Sequence, residues 1–189
     1  MKKLVCETFE EFKLMEGAEK RIEYGCAMLE ADVSTWKEDH LSIVDEKDIY
    51  DNDDNEYGYC DHPHMTLLYG IHPDEVTLDE ISEAFEAVKP MNMTIDKISI
   101  FETDDKDYDV VKYDVPVTDE LKEYHDMFEE FPNTQDFPEY HPHMTLAYVK
   151  KGEGKKYTQG VEPFEVTFNE GTYSVPDEEK QHYDLIDDE

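Results

Sequence analysis

The same six residues occur twice in this chain, as His62-Pro63-His64-Met65-Thr66-Leu67 and as His141-Pro142-His143-Met144-Thr145-Leu146. Histidine is the side chain whose charge changes nearest neutral pH. Two imidazoles facing one substrate can therefore divide acid–base work, one neutral and one protonated. A phosphodiester with a free 2′-hydroxyl suits that pair. The neutral ring removes the hydroxyl proton, the oxygen attacks phosphorus, and the charged ring protonates the leaving 5′-oxygen. The immediate product is a 2′,3′-cyclic phosphate, and water can stand in for the hydroxyl where hydrolysis is completed. Thr66 and Thr145, two residues beyond His64 and His143, can donate to the non-bridging oxygens where negative charge gathers. This chemistry needs neither metal nor cofactor.

Each copy must be held so that histidine and threonine face the same way. An extended strand does this, because alternate side chains share a face. His62, His64 and Thr66 then line one side, with Met65 and Leu67 on the other, and the second copy repeats the arrangement. One polar copy is what an ordinary half-buried strand with a hydrogen-bonded histidine would give. Two identical copies call for more than strand formation. Zinc is the sharper competitor, since His-x-His places two imidazoles on one strand face, but a zinc site leaves the threonines unexplained. His62 and His141 either support the central pair or sit at a polar edge. His40, His72, His125 and His182 lack a repeated context and are read as incidental. The acidic surroundings are expected to raise the histidine pKa values.

Around the motifs the sequence alternates strands and helices. Thr8 with Glu11, followed by Phe9, Phe12 and Met15 at helical spacing, reads as a short helical lead-in. Residues 24–29 read as a strand, and a helix holding Trp36, Leu41 and Ile43 starts near Ser34. The acidic run 51–55 has calcium-loop oxygen spacing but lacks the glycine and the final glutamate, so it is not read as one. Thr77 with Glu80 is a capping box before Ile81, Phe85 and Val88. Strands follow over 91–101 and 110–115. Thr118 caps a helix with Leu121, Tyr124 and Phe128 on its buried side. After the second motif strand comes a basic turn, 150–156, and a last strand within 164–175. Each half thus has a strand, a helical stretch and a motif strand, and the copies lie 79 residues apart, from position 64 to position 143. That distance is too long for a solenoid repeat and implies a pseudo-two-fold α+β protein. It has two small antiparallel sheets around a central cleft with helices outside. The domain limits are an N-terminal extension 1–20, a two-lobed domain 21–176 and an acidic, frayed tail 177–189.

Composition narrows the partners. The 189 residues carry 50 Asp and Glu against 17 Lys and Arg, a formal charge of −33. Such a surface repels the backbone of long DNA or RNA over about a Debye length. A small ligand in a locally neutral or basic pocket, or a basic protein partner, remains, and the acidity also serves solubility. No apolar run is long enough to span a bilayer and no signal-peptide core follows Met1, so a cytoplasmic protein without membrane partners is expected. Three cysteines without metal-ligand spacing imply reduced thiols.

His64-Met65-Thr66-Leu67 and His143-Met144-Thr145-Leu146 resemble the paired His-x-Thr/Ser-x-hydrophobic signature of the 2H phosphoesterases. A closer likeness extends from about Tyr24 to Val175. It includes residues 24–29, Trp36, residues 43–50 and residues 66–72, and is similar to the phage anti-CBASS 2H phosphodiesterases, which degrade cyclic di- and trinucleotide signals of bacterial immunity. The resemblance implies metal-independent cleavage of 3′,5′ linkages in a small cyclic oligonucleotide. His64 and His143 would be the acid–base pair, Thr66 and Thr145 the phosphate ligands, and Tyr24 a base-stacking residue. It also implies the host cell cytoplasm if the chain is phage-encoded. The competing readings are a protein that sequesters a cyclic nucleotide without cutting it, an RNA-end-processing or 2′,3′-cyclic-phosphate 2H enzyme, and an acidic mimic of DNA.

Overall fold

The computed structural model describes residues 24–50, 57–104, 106–135, 139–176 and 178–187; the helical lead-in read over 8–15, the extension 1–20 and the acidic run 51–55 fall outside them. Seven antiparallel strands form the frame: β1 (Gly25–Ala31), β2 (His64–Ile71), β3 (Met91–Glu102), β4 (Tyr108–Asp114), β5 (His143–Lys150), β6 (Gln159–Ser174) and β7 (Gln181–Asp184). Two helices, α1 (Leu78–Glu86) and α2 (Asp119–Glu129), complete the α+β fold.

The two expected sheets are hydrogen-bonded into one, in the order β2-β1-β6-β3-β4-β5 with β7 on β6. The reason is strand length. β6 pairs through Phe168–Ser174 with β1 and through Gln159–Phe168 with β3, while β3 pairs through Met91–Ile98 with β6 and through Ile98–Glu102 with β4. Each long strand therefore serves both halves. The motif strands β2 and β5 occupy the two ends of this ladder, and the sheet curls until those ends lie against each other.

The alternation read from the motifs is what the structure contains. Met65, Leu67, Met144 and Leu146 are fully buried. Each such side chain contributes ~1.5–3 kcal/mol, and a one-residue slip would turn all of them outward. Burial of these four residues thus fixes which way the histidines and threonines face.

Thr77 accepts from the Glu80 amide while the Glu80 carboxylate accepts from the Thr77 amide, closing the capping box. Thr118 Oγ1 accepts from the Leu121 amide and starts α2. Phe85 of α1 meets Phe128 of α2 at 4.9 Å and stacks on Tyr183 of β7 at 4.7 Å. The helix expected near Ser34 is instead one wide turn, with the Leu41 amide reaching back to the Trp36 carbonyl, followed by a single 3₁₀ turn. Its anchor is Trp36, whose Nε1 donates to the Cys60 carbonyl at 2.7 Å and whose ring lies against Tyr113 of β4. The segment read as a frayed tail is a strand: Gln181–Asp184 pairs with Tyr173–Glu170 and Leu185 is buried. Tyr183 and Leu185 supply the apolar contacts that its acidic neighbours mask.

Candidate active site

His64 and His143 open their strands in the same way. In each copy the ring Nδ1 lies 2.9 Å from the carbonyl oxygen two residues earlier, that of His62 or of His141. A carbonyl only accepts, so Nδ1–H is the donor, and the neutral ring keeps its lone pair on Nε2. His62 and His141 support the central pair through their backbones, whereas their side chains are exposed.

Burial sets the acidity of both rings. It lowers the His64 pKa, against the His62 carbonyl, and Lys180 lowers it further while Glu30 raises it. Burial likewise pushes His143 down to about 4, with Lys112 and His64 adding to the fall and the His141 carbonyl and Asp114 opposing it. The expectation that acidic surroundings would raise these values is thus overturned: desolvation of the imidazolium outweighs the nearby carboxylates. The strands that these two rings open, β2 and β5, lie against each other.

The neighbouring strands repeat the symmetry of the motifs and then break it. Glu30 of β1 stands opposite His64, and Asp114 of β4 opposite His143. Opposite the threonines the halves differ, with Met28 facing Thr66 and Lys112 facing Thr145. Lys112 is buried, donates to Asp114 Oδ1 at 2.5 Å and to Ser99 Oγ at 2.8 Å, and sits 4.3 Å from the centre of the Phe101 ring. The Phe101 ring in turn meets His143 edge-to-face, centre to centre at 4.9 Å. Thr145 is buried and Thr66 half-buried, its hydroxyl 4.0 Å from Cys26 Sγ.

A strut joins the two half-sites. Tyr140, three residues before His143, donates through its hydroxyl to the Thr66 carbonyl at 2.9 Å. Its ring stacks at 3.9 Å on His125, whose Nδ1–H donates to the Leu67 carbonyl at 2.7 Å. His125 is therefore not incidental. His40, His72 and His182 are also engaged, with Tyr113, with Glu75 and Thr134, and with Glu170. Isolated histidines give no repeated pattern, so sequence alone had no means of ranking them. Lys112 and Asp114 did leave a trace: over residues 110–115 they are the polar positions that alternate with Val111, Tyr113 and Val115.

Tyr24 is not brought to the pair. It precedes Gly25, which pairs with Ile71, and stacks on His72 at 5.6 Å. That is the far end of β2, seven residues or about 23 Å from His64. Among the described residues, the groups spaced to share a metal ion are Glu30–Glu170–His182 and His125–Asp126–Glu129; no motif histidine belongs to either.

Paired histidine strands at the two meeting ends of an antiparallel sheet define a phosphoesterase of the 2H kind. The model of the 2′-5′ RNA ligase superfamily matches residues 49–170, and the chain belongs to that family. Among solved structures, Usb1 of Kluyveromyces marxianus is similar with a TM-score of 0.57 and 10% identity, over 86% of this chain and 98% of that one. E. coli LigT complexed with 3′-AMP gives a TM-score of 0.45 at 13% identity, over 86% and 96%. No curated protein sequence matches the chain. Among the described residues, no helix is long and apolar enough to cross a membrane.

Proposed function

We propose that this enzyme cleaves the 3′,5′-phosphodiester bonds of cyclic di- and trinucleotides without a metal ion, and so removes the signals that drive CBASS antiphage defence. The observation that carries the reading is the twin lock, in which each motif imidazole is held by the carbonyl two residues back and keeps Nε2 for a proton in transit. One ring takes the 2′-hydroxyl proton and the other delivers a proton to the 5′-oxygen, while Thr66 and Thr145 donate to the phosphoryl oxygens. A compact ring with two or three phosphates also avoids the long-range repulsion that a chain of charge −33 exerts on extended nucleic acid.

The test is product analysis by mass spectrometry over cyclic dinucleotides and trinucleotides, linear dinucleotides and 2′,3′-cyclic nucleotides, with and without chelator. Cyclic GMP–AMP should be opened, and His64→Ala and His143→Ala should each lower turnover by at least ~10²-fold. Intact ligand recovered after the protein is heated out would instead mean sequestration. Cleavage confined to linear RNA or 2′,3′-cyclic ends would place the enzyme in RNA processing. Loss of activity in chelator would end the metal-free mechanism.

A further inference from the structure

The two halves of the site can be compared position by position. Beyond the motif strands, Glu30 and Met28 of β1 correspond to Asp114 and Lys112 of β4. One strand further, Glu170 and Thr172 of β6, opposite Glu30 and Met28, correspond to Lys97 and Ser99 of β3. The first carboxylate and the hydroxyl are kept in both halves. The other two positions change, from methionine and glutamate to two lysines. The first frame has two carboxylates, with Glu170 held by His182 and Glu30 by the Thr172 hydroxyl. The second has two ammonium groups on a single carboxylate.

That second arrangement holds one cation too many. Asp114 receives Lys112 Nζ and Ser99 Oγ on Oδ1, each at 2.5 Å, and Lys97 Nζ on Oδ2 at 3.0 Å. Although burial alone pushes its carboxyl up, these partners hold Asp114 down to about 2, so it stays ionised. The two lysines are not equivalent. The Lys112 side chain is 6% exposed and is fixed by Asp114, Ser99 and Phe101, whereas Lys97 is 58% exposed. Lys112 alone can neutralise Asp114, leaving Lys97 able to exchange its carboxylate for another anion at little cost, as expected for an exposed pair.

We propose that Lys97, with Lys112 and Ser99 holding Asp114 behind it, forms a subsite for a second, non-scissile phosphate. It lies two strands from β5, about 10 Å, within reach of the next phosphate of an oligonucleotide whose first phosphate lies between the histidines. The subsite rests on the phosphodiesterase reading and gives it a substrate criterion: a ligand with two phosphates binds better than one with a single phosphate. A 2′,3′-cyclic mononucleotide leaves Lys97 on Asp114; a cyclic dinucleotide draws it away.

The test uses binding, so that it does not depend on which bond is cleaved. Adenosine 3′,5′-bisphosphate and adenosine 3′-monophosphate are titrated calorimetrically into the unmodified protein, Lys97→Met, Lys97→Arg and Lys122→Met. Lys122 pairs with Asp126 along α2 and controls for the change in net charge. The unmodified protein should bind the bisphosphate roughly 10-fold more tightly, as one charge-assisted hydrogen bond allows. Lys97→Met should abolish that preference, Lys97→Arg should restore it, and Lys122→Met should keep it. A preference that survives in Lys97→Met, or equal affinity for both ligands in the unmodified protein, overturns the subsite. Should the bisphosphate preference appear in a protein that opens no cyclic dinucleotide, the substrate assignment fails and the subsite stands.

Discussion

At the scale of single residues, the site is built by withdrawing imidazoles from water, His64 almost wholly and His143 in part. Burial lowers both ring pKa values, that of His143 to about 4 against an ordinary 6.5. Neutral imidazole is then plentiful near pH 7 and imidazolium scarce. On the proposed acid–base mechanism the protonated partner limits the rate in the free enzyme, so kcat/KM should be highest below pH 6.5 and fall as pH rises. A bound phosphodiester is an anion and raises both values, so kcat should persist to higher pH than kcat/KM. Steady-state kinetics between about pH 4 and pH 8 check this, and a kcat/KM that stays flat up to pH 8 contradicts it. The same depression has a sign for stability. Between 6.5 and about 4 the unfolded chain binds protons that the folded His143 refuses, so this contribution is complete above 6.5 and is lost as pH falls through that window. His143→Gln should lessen the loss of stability on acidification, measured by urea denaturation. The four residues expected to do chemistry were legible because they recur. Glu30, Lys112 and Asp114 matter through cross-strand register, and no linear pattern states which strands will be neighbours.

At the scale of elements, the ends of the ladder are closed by different means. The outer edge of β5 is covered by backbone: the Cys60 and Tyr50 amides donate to Leu146 and Tyr148 carbonyls, and the Tyr148 amide donates to Gly58. On β2 the carbonyls of Thr66 and Leu67 are met by side chains instead, those of Tyr140 and His125. Gly70, at φ +96°, lets residue 134 cross the end of β2, where the Thr134 amide donates to the Gly70 carbonyl and any Cβ would strike the Thr134 carbonyl. Tyr140→Phe should lower stability by about 1 kcal/mol, the usual worth of one hydrogen bond. It should also reduce kcat, because the strut spans the two motifs. Unchanged kcat together with an unchanged urea midpoint would show the contact to be idle. The capping box at Thr77 and the alternating strands were readable in advance because their signals are local. The wide turn at Trp36 and the strand Gln181–Asp184 were not, since tertiary contacts through Trp36, Tyr183 and Leu185 determine them.

At the scale of the molecule, shared strands make two halves into one cooperative object. Neither half can lose β3 or β6 without stripping hydrogen bonds from the other. Unfolding should therefore occur in a single step. The only tryptophan, Trp36, reports on packing against β4, and its fluorescence transition in urea should coincide with loss of far-UV circular dichroism. Separate midpoints would mean that the halves melt independently. The duplicated motif announced two halves but was silent on their union, because the length of β6 depends on pairing at both of its ends.

The His-Pro-His tripeptide contains its own aiming device. The ring to be aimed and the oxygen that aims it are separated by one proline, so their alignment borrows nothing from the rest of the chain. A segment of this kind can be copied to a second location and arrive already oriented. Only the neighbours then need to diverge, as methionine and lysine have done opposite the two threonines, for twin halves to differ in their chemistry.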